Sequence, residues 1–321
     1  MRILRESFSM SNAWQKSNAW QKAPRENCEI CESRQNYQNR KSRQDSSIFL
    51  SAFFLAFIAF LALFTLTSCS DDNALESIKQ KRIINIGVLD SIPPLNYRNE
   101  NGEIDGFEIK LARKIAKDLL GDESRANLIA LPLQNPYADE RFAPLESGEV
   151  DMIIATLVKT KHAQERVDFA APYMRVAISV VGRNSQPSGI QSLFNAPVII
   201  KKDAVSEEYF RENYPQIEVR SYETIPECFD ALVADKSAYF AGLNAIAFAW
   251  MRQNPEFTIS IPVLGDEYEL APAVKKGNKS LLKWLNKEIA TLKKDGFFMQ
   301  TYEASLLPYY GKELKPQNIL P

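Results

Sequence analysis

The chain has 321 residues, with 39 Lys or Arg against 40 Asp or Glu, one histidine and four cysteines. Residues 1 to 47 hold nine basic groups against five acidic ones, which leaves 30 basic and 35 acidic from residue 69 onward, a net charge of about −5. No broad basic field remains for nucleic acid. The single histidine, His162, is expected on a loop or helix start facing solvent, which argues against a Ser-His-Asp or Cys-His device and against a histidine-rich metal site.

In chain order, residues 1 to 47 are polar, lack apolar periodicity and repeat a hexapeptide, Ser11 to Lys16 recurring as Ser17 to Lys22. They read as an extended region ahead of an export signal, or as a start placed too far upstream, and are set apart from the fold. The lone Cys28-Glu29-Ile30-Cys31 has no second cysteine pair or histidine partner, so no metal or redox role is expected of it. Ile48 to Leu66 is an uncharged apolar run, preceded by Arg40, Lys41 and Arg43 and followed by Thr67-Ser68-Cys69. That order fits a lipoprotein signal, with small residues before a cysteine that carries lipid, and it predicts Cys69 as the lipidated residue. The alternative is an uncleaved anchor, since about 19 apolar residues can cross a bilayer. Both place the remainder on the extracytoplasmic face. With Cys69 acylated, Cys228 has no internal partner; it is expected as a small core residue, with no disulfide.

From residue 70 strand and helix patterns alternate over about 250 residues, which predicts an α/β chain of two lobes. Ile83 to Val88 reads as a buried strand. A helix follows Gly106, with Phe107, Ile109, Leu111, Ala112, Ile115, Ala116 and Leu119 at helical spacing and Gly121 as its stop. Strands are expected at 128–131 and 152–155, with a short helix between them ending at Gly148, and Ala177 to Gly182 reads as a strand leaving this lobe. A second set follows: strand 198–200, helix 206–214, strand 217–220, helix 225–234, strand 238–241 and helix 244–252. Leu270 to Val274 reads as the returning strand. The last helix, with Leu281, Leu282, Trp284, Leu285, Ile289 and Leu292 on one face, is expected to pack on the first lobe. The predicted organisation is a leader over 1–69, lobe 1 over 70–181, lobe 2 over 182–269, a return segment over 270–305 and a tail over 306–321.

Short patterns recur in a fixed order along this region: Gly87-Val88, Pro93-Pro94, Gly106-Phe107, Gly148-Glu149-Val150-Asp151 and Val167-Asp168-Phe169-Ala170-Ala171-Pro172-Tyr173. In that order, over roughly residues 78 to 305, the chain resembles the family 3 extracellular solute-binding proteins. These are two-lobed receptors that deliver amino acids and similar small polar solutes to ABC importers. The resemblance implies a periplasmic-binding-protein type II fold, each lobe a central β-sheet flanked by helices. Ligand would bind between the lobes and be trapped by hinge closure. It also implies docking to permease subunits of the inner membrane, with a small polar solute as the other partner. A monomer without cofactor or nucleic acid is expected, and no enzymatic activity.

The resemblance also says which positions should grip an amino acid, and most are substituted. The carboxylate-binding arginine falls on Ala163 and a hydroxyl position on Val158. A glycine and hydroxyl turn that faces the same carboxylate from a helix N-terminus is here Asp203-Ala204-Val205. The ammonium-binding aspartate falls within Ala241-Gly242-Leu243, and the covering aromatic falls on Ile92 or Leu95. The remaining candidates for ligand contact are Thr156, Arg141 (where some acidic-amino-acid receptors carry a second arginine), Lys201 with Lys202, Asp203 and Ile92. Asp151, Asp168 and Tyr173 are expected to be structural.

Three functions are consistent with this pattern. The first is a lipid-anchored receptor for an amino acid or derivative; the second is a bilobed sensor or interaction module that has lost solute capture. The third is a lyase like the cyclohexadienyl dehydratases, with Asp203 as base and Arg141 as carboxylate clamp.

Overall fold

The computed structural model describes residues 73–131, 141–312 and 314–321. Cys69, the apolar run, the repeated hexapeptide and the CxxC lie outside the described residues. Among the described residues no helix is long and apolar enough to cross a membrane.

Two five-stranded sheets and one small three-stranded sheet carry the fold. The first sheet is built on β1 (Ile84–Val88), which pairs in parallel with β5 (Ala126–Ala130) and with β6 (Met152–Ile153). The returning β13 (Ala273–Lys275) runs antiparallel to β6 and to β7 (Val167–Phe169), giving the order β5-β1-β6-β13-β7. Helix α2 (Phe107–Leu120) forms between two glycines, as the spacing predicts. Gly106 precedes it at φ 130°, and Gly121 ends it in the left-handed region, where a side chain is penalised. Its buried face is Phe107, Ile109, Leu111, Ala112, Ile115 and Ala116, with one acid among them, Glu108.

The short strands β2 (Ser91–Ile92), β3 (Asn96–Arg98) and β4 (Ile104–Asp105) form the small antiparallel sheet beside α2. Helix α1 (Ala74–Lys81) precedes β1, and α3 (Ala143–Ser147) and α4 (Lys161–Arg166) flank β6.

The second sheet has the order β10-β9-β11-β8-β12. Its parallel part is β9 (Val198–Lys201) between β10 (Val219–Tyr222) and β11 (Tyr239–Leu243). The long β8 (Met174–Arg183) runs antiparallel to β11 and to β12 (Phe257–Leu270). Helices α5 (Val205–Asn213), α6 (Ile225–Ala234) and α7 (Asn244–Gln253) connect the strands. Alternate residues separate the two faces, as strand geometry requires. Ile178, Val180, Val198 and Ile200 enter a core on one face with Phe210, while Val181 and Ile199 join the larger core on the other.

The strand expected to leave the first lobe at 177–182 belongs instead to the second sheet, so the first crossing lies near residue 174 rather than 182. The periodicity of 257–270 did not announce a strand. Pro262, Gly265 and the acids Asp266, Glu267 and Glu269 break its alternation, and its pairing with β8 shifts register three times. These two long neighbours meet at Met174 and Leu270, where the chain passes between the sheets.

Helix α8 (Lys279–Lys294) buries Leu281, Leu285, Ile289 and Leu292, and its Asn286 accepts the Ala171 N–H at 2.6 Å, which docks it on the first lobe. The segment assigned as a tail is packed. After α9 (Phe297–Ser305) and α10 (Leu307–Tyr310), the side chains of Leu314, Ile319 and Leu320 are buried.

Candidate functional site

A cavity of about 410 Å³ opens between the two sheets. Five residues singled out from the sequence, Ile92, Arg141, Thr156, Lys201 and Asp203, line it together. Ile92, Arg141 and Thr156 come from the first sheet's side, on β2, just before α3 and just after β6. Lys201 ends β9, and Asp203 sits in the turn before α5. Leu95, the other position aligned with a covering aromatic, is fully buried in the core and does not reach the cavity. Lys202 is also absent from the lining, and its ammonium pairs with Glu223 at 2.8 Å.

Thr156 is held by a network that sequence reasoning missed. Its backbone has φ 52°. Its N–H donates to both Glu108 oxygens at 2.9 and 3.1 Å, and its hydroxyl donates to Glu108 at 3.2 Å while accepting from Asn96 Nδ2 at 3.1 Å. Asn96 Nδ2 also donates to Glu108, and Tyr173 donates its phenol hydrogen to Glu108 at 2.6 Å. Glu108, Asn96 and Tyr173 are all 0% exposed, so these bonds are made without competition from water. Burial pushes the Glu108 carboxyl up to about 7, against four sets of hydrogen bonds that favour its charged form. A signal for Glu108 was present: it lies three and four residues before Leu111 and Ala112, on the face of α2 that is otherwise apolar.

The charged groups of the cavity come from opposite sides. Among the described residues no hydrogen-bond or ion-pair partner meets the Arg141 guanidinium. Burial weakens its hold on its proton and the Asp203 charge opposes that. Lys201 donates to the Lys202 carbonyl at 2.8 Å; burial, then repulsion from Arg141, lower its proton affinity. Asp203 is exposed at the cleft and has φ 57°, a region that aspartate tolerates better than most residues. Partial desolvation and the Glu207 charge raise its carboxyl. The turn is closed without glycine or hydroxyl residues: the Asp203 N–H donates to Glu207 at 2.7 Å, an acid one turn into α5.

The substituted positions are on the wall itself. Val158, Ala163, Ala204, Val205, Gly242 and Leu243 all line the cavity. Val158 bridges to Leu270, and Thr160 caps α4 by accepting the Ala163 N–H at 3.1 Å.

The other sequence candidates lie outside this chemistry. Asp151 accepts the Asn85 N–H at 2.8 Å; Asp168 accepts the Gly277 N–H at 2.8 Å and pairs with Lys276 at 3.1 Å. Both join strand ends. His162 stands at the cavity rim with 67% of its side chain exposed and Glu165 at 3.8 Å. Cys228 is buried, and burial pushes its thiol up to about 12, which leaves it inert.

Residues 84–306 match the family model of the bacterial extracellular solute-binding proteins, family 3. The chain belongs to this family. Among family 3 receptors, it is 29% identical over 266 residues to the ABC transporter glutamine-binding protein GlnH of Bacillus subtilis, covering 78% of this chain and 95% of that protein. The crystal structure of the solute receptors for L-cysteine of Neisseria gonorrhoeae is similar at 37% identity and TM-score 0.71, over 77% of this chain and 99% of that one. The cysteine-binding protein from Campylobacter jejuni gives 32% identity and TM-score 0.71, over 77% and 98%. These similar proteins are binding proteins, not enzymes, and their fold is the two-lobed α/β fold expected from the sequence. At Ala163 and across Ala241-Gly242-Leu243, where the resemblance implies an arginine and an aspartate, the cavity wall of this chain has no charged side chain.

Proposed function

We propose that the chain is the substrate-binding receptor of an ABC importer for a small polar solute of the amino-acid class. In this reading it is tethered through lipid on Cys69 to the extracytoplasmic face of a membrane and closes its cleft around the solute before docking on permease subunits. The observation that carries the proposal is the 410 Å³ cavity between two sheets joined by crossing strands, in a chain whose relatives bind glutamine or cysteine. Its ligand contacts are Arg141, Lys201 and Asp203 at the charged ends, Thr156 and Ile92 at the wall.

Thermal unfolding of the purified chain, refolded to strip carried-over ligand, tests this against amino acids, small peptides, organic acids and amines. A ligand at 100 times its dissociation constant adds about 2.7 kcal/mol, which raises the midpoint by several degrees. Incorporation of a palmitate analogue that Cys69→Ala abolishes is the expected result for the anchor. The uncharged Ala163 and Ala241-Gly242-Leu243 favour a second reading, a sensor or interaction module with an unused cleft. A cooperative transition that no solute moves is its signature.

A further inference from the structure

Binding a free amino acid requires opposite charges about one small molecule apart, and the positions at which the family resemblance expects them are Ala163 and one within Ala241-Gly242-Leu243, none of them charged. The cavity nonetheless has charges of both signs, placed elsewhere. On the first-lobe side stands Arg141, which no described residue neutralises by contact. On the second-lobe side stand Lys201 and Asp203, separated by one residue at the turn that opens α5. The Asp203 N–H is committed to Glu207, and Glu207 also accepts the Ser221 hydroxyl. Among the described residues the Asp203 carboxylate has no hydrogen-bond or ion-pair partner. The Lys201 ammonium spends one hydrogen on the Lys202 carbonyl and keeps two. Around these groups the wall is apolar at Ile92, Phe142, Leu157, Phe240, Leu243 and Ile246, and α5 adds Glu207, Glu208 and Arg211 to the lining.

We infer that the cleft holds a relocated zwitterion clamp, in which Arg141 and Lys201 take the carboxylate of an α-amino acid and Asp203 takes its ammonium. This rests on the receptor reading and assigns its ligand class.

Three physical arguments support the assignment. An arginine fork is the strongest partner a carboxylate can find, and Lys201 adds a point charge from the facing lobe, so closure brings both cations onto one anion. In an empty closed cleft Arg141 and Lys201 repel each other, and the single Asp203 charge offsets only part of that. Burial already weakens the proton hold of Arg141 and Lys201 and strengthens that of Asp203, and a bound zwitterion supplies the missing charge to each. Finally, Ile92, Phe142, Leu157, Phe240, Leu243 and Ile246 give the aliphatic part of an amino acid an apolar surface to cover beside the charged groups.

The test is titration calorimetry with L-cysteine and L-glutamine, the ligands named for similar proteins, beside two analogues: 3-mercaptopropionate, which lacks the ammonium, and cysteamine, which lacks the carboxylate. Asp203→Asn is expected to weaken the amino acid about 30-fold, the equivalent of one charge-assisted contact, and to leave 3-mercaptopropionate within about twofold. Arg141→Ala is expected to weaken both carboxylates alike and to leave cysteamine unchanged. Arg141→Lys, which keeps the charge without the fork, should recover part of the loss, and the ligand-free unfolding midpoint of each variant reports that it folds. Variants that bind the amino acid as tightly as the parent overturn the clamp and leave the receptor standing, as does an Asp203→Asn loss shared equally by 3-mercaptopropionate. A parent chain that binds neither amino acid and whose unfolding no solute of the wider panel shifts overturns both, and one shifted only by solutes that lack an ammonium or a carboxylate overturns the clamp alone.

Discussion

Tyr173 donates its hydroxyl to Glu108 at 2.6 Å, and through that bond the start of the crossing strand β8 is tied to the first turn of α2. The same carboxyl group holds Thr156 on the cavity wall. Tyr310, which donates to the Ala245 carbonyl at 2.9 Å from the C-terminal segment, lies close enough for the Glu108 charge to raise its phenol further. One buried acid thus stands where cleft, crossing and C-terminal segment meet.

Glu108 makes stability depend on pH. Its carboxyl ordinarily titrates near 4.5 and is held at about 7 in the fold, so the fold binds the proton more tightly than the unfolded chain. The contribution is therefore fully present below about pH 4.5 and is lost as pH rises through about 7, by roughly 3 kcal/mol. The Asn96 amide oxygen, buried without a hydrogen-bond partner, gives the protonated form an acceptor if the amide turns over. Glu108→Gln removes the titration. Urea unfolding of both proteins at pH 4.5 and pH 8 should show the difference in stability moving by about 2–3 kcal/mol toward the variant at the higher pH. Parallel pH profiles would sink the assignment.

Two glycines that end the same helix should differ in tolerance. A Cβ on Gly106, at φ 130°, would lie 2.3 Å from the Leu95 carbonyl oxygen, whereas one on Gly121, at φ 83°, meets nothing within 4 Å. Gly106→Ala is expected to cost about 3 kcal/mol or more, through the clash and the strained backbone together, and Gly121→Ala about 1 kcal/mol. Chemical denaturation of the pair decides it, and equal losses would contradict the packing.

The C-terminal segment should contribute to the stability of the whole. Leu314, Ile319 and Leu320 are buried, the Arg175 N–H donates to the Ile319 carbonyl at 2.7 Å, and its guanidinium donates to the Leu320 carbonyl at 3.1 Å. Burial of three aliphatic side chains is worth about 1.5–3 kcal/mol each before conformational entropy is charged against it. A chain ending at Tyr310 should therefore unfold with a loss of several kcal/mol, and Tyr310→Phe with a loss of about 1 kcal/mol. A truncated chain with an unchanged melting point would show that this packing is idle.

Helix α6 starts with a capping box, in which Glu227 N–H donates to the Thr224 hydroxyl at 3.3 Å and Thr224 N–H donates to the Glu227 carboxylate at 3.1 Å. Thr224→Ala should cost about 1 kcal/mol. Because Thr224 also lines the cavity, its effect on ligand affinity separates a purely local cap from a wall contact.

Much of the candidate site was legible because it lies at element ends that local patterns mark. Arg141 before a short helix, Thr156 after a strand, and Lys201 and Asp203 between a strand and a helix all reach one cavity, as their places in the chain suggested. The uncharged Ala163 and Ala241-Gly242-Leu243 were equally visible, since they stand inside recognisable stretches. Glu108 was harder. Its partners Asn96, Thr156 and Tyr173 are 12, 48 and 65 residues away, so nothing in its own helix explains how a buried acid is satisfied there.

By itself the sequence determined the elements whose cause is local. Helix α2 is set by its 3.6-residue apolar period and its two glycines, strand β1 by β-branched residues stopped at a turn, and the family by short patterns in a fixed order. Tertiary structure decided the rest, because pairing is a property of two segments. Strand 257–270 exists through its partner 174–183, which tolerates three register shifts that erase any alternation. Pairing with 257–270 and with β11 in turn draws 174–183 into the second sheet. Burial of the last residues needed the crossing strand and α7 as a surface, and the meeting of Arg141 with Lys201 and Asp203 needed elements of both sheets to line one cavity.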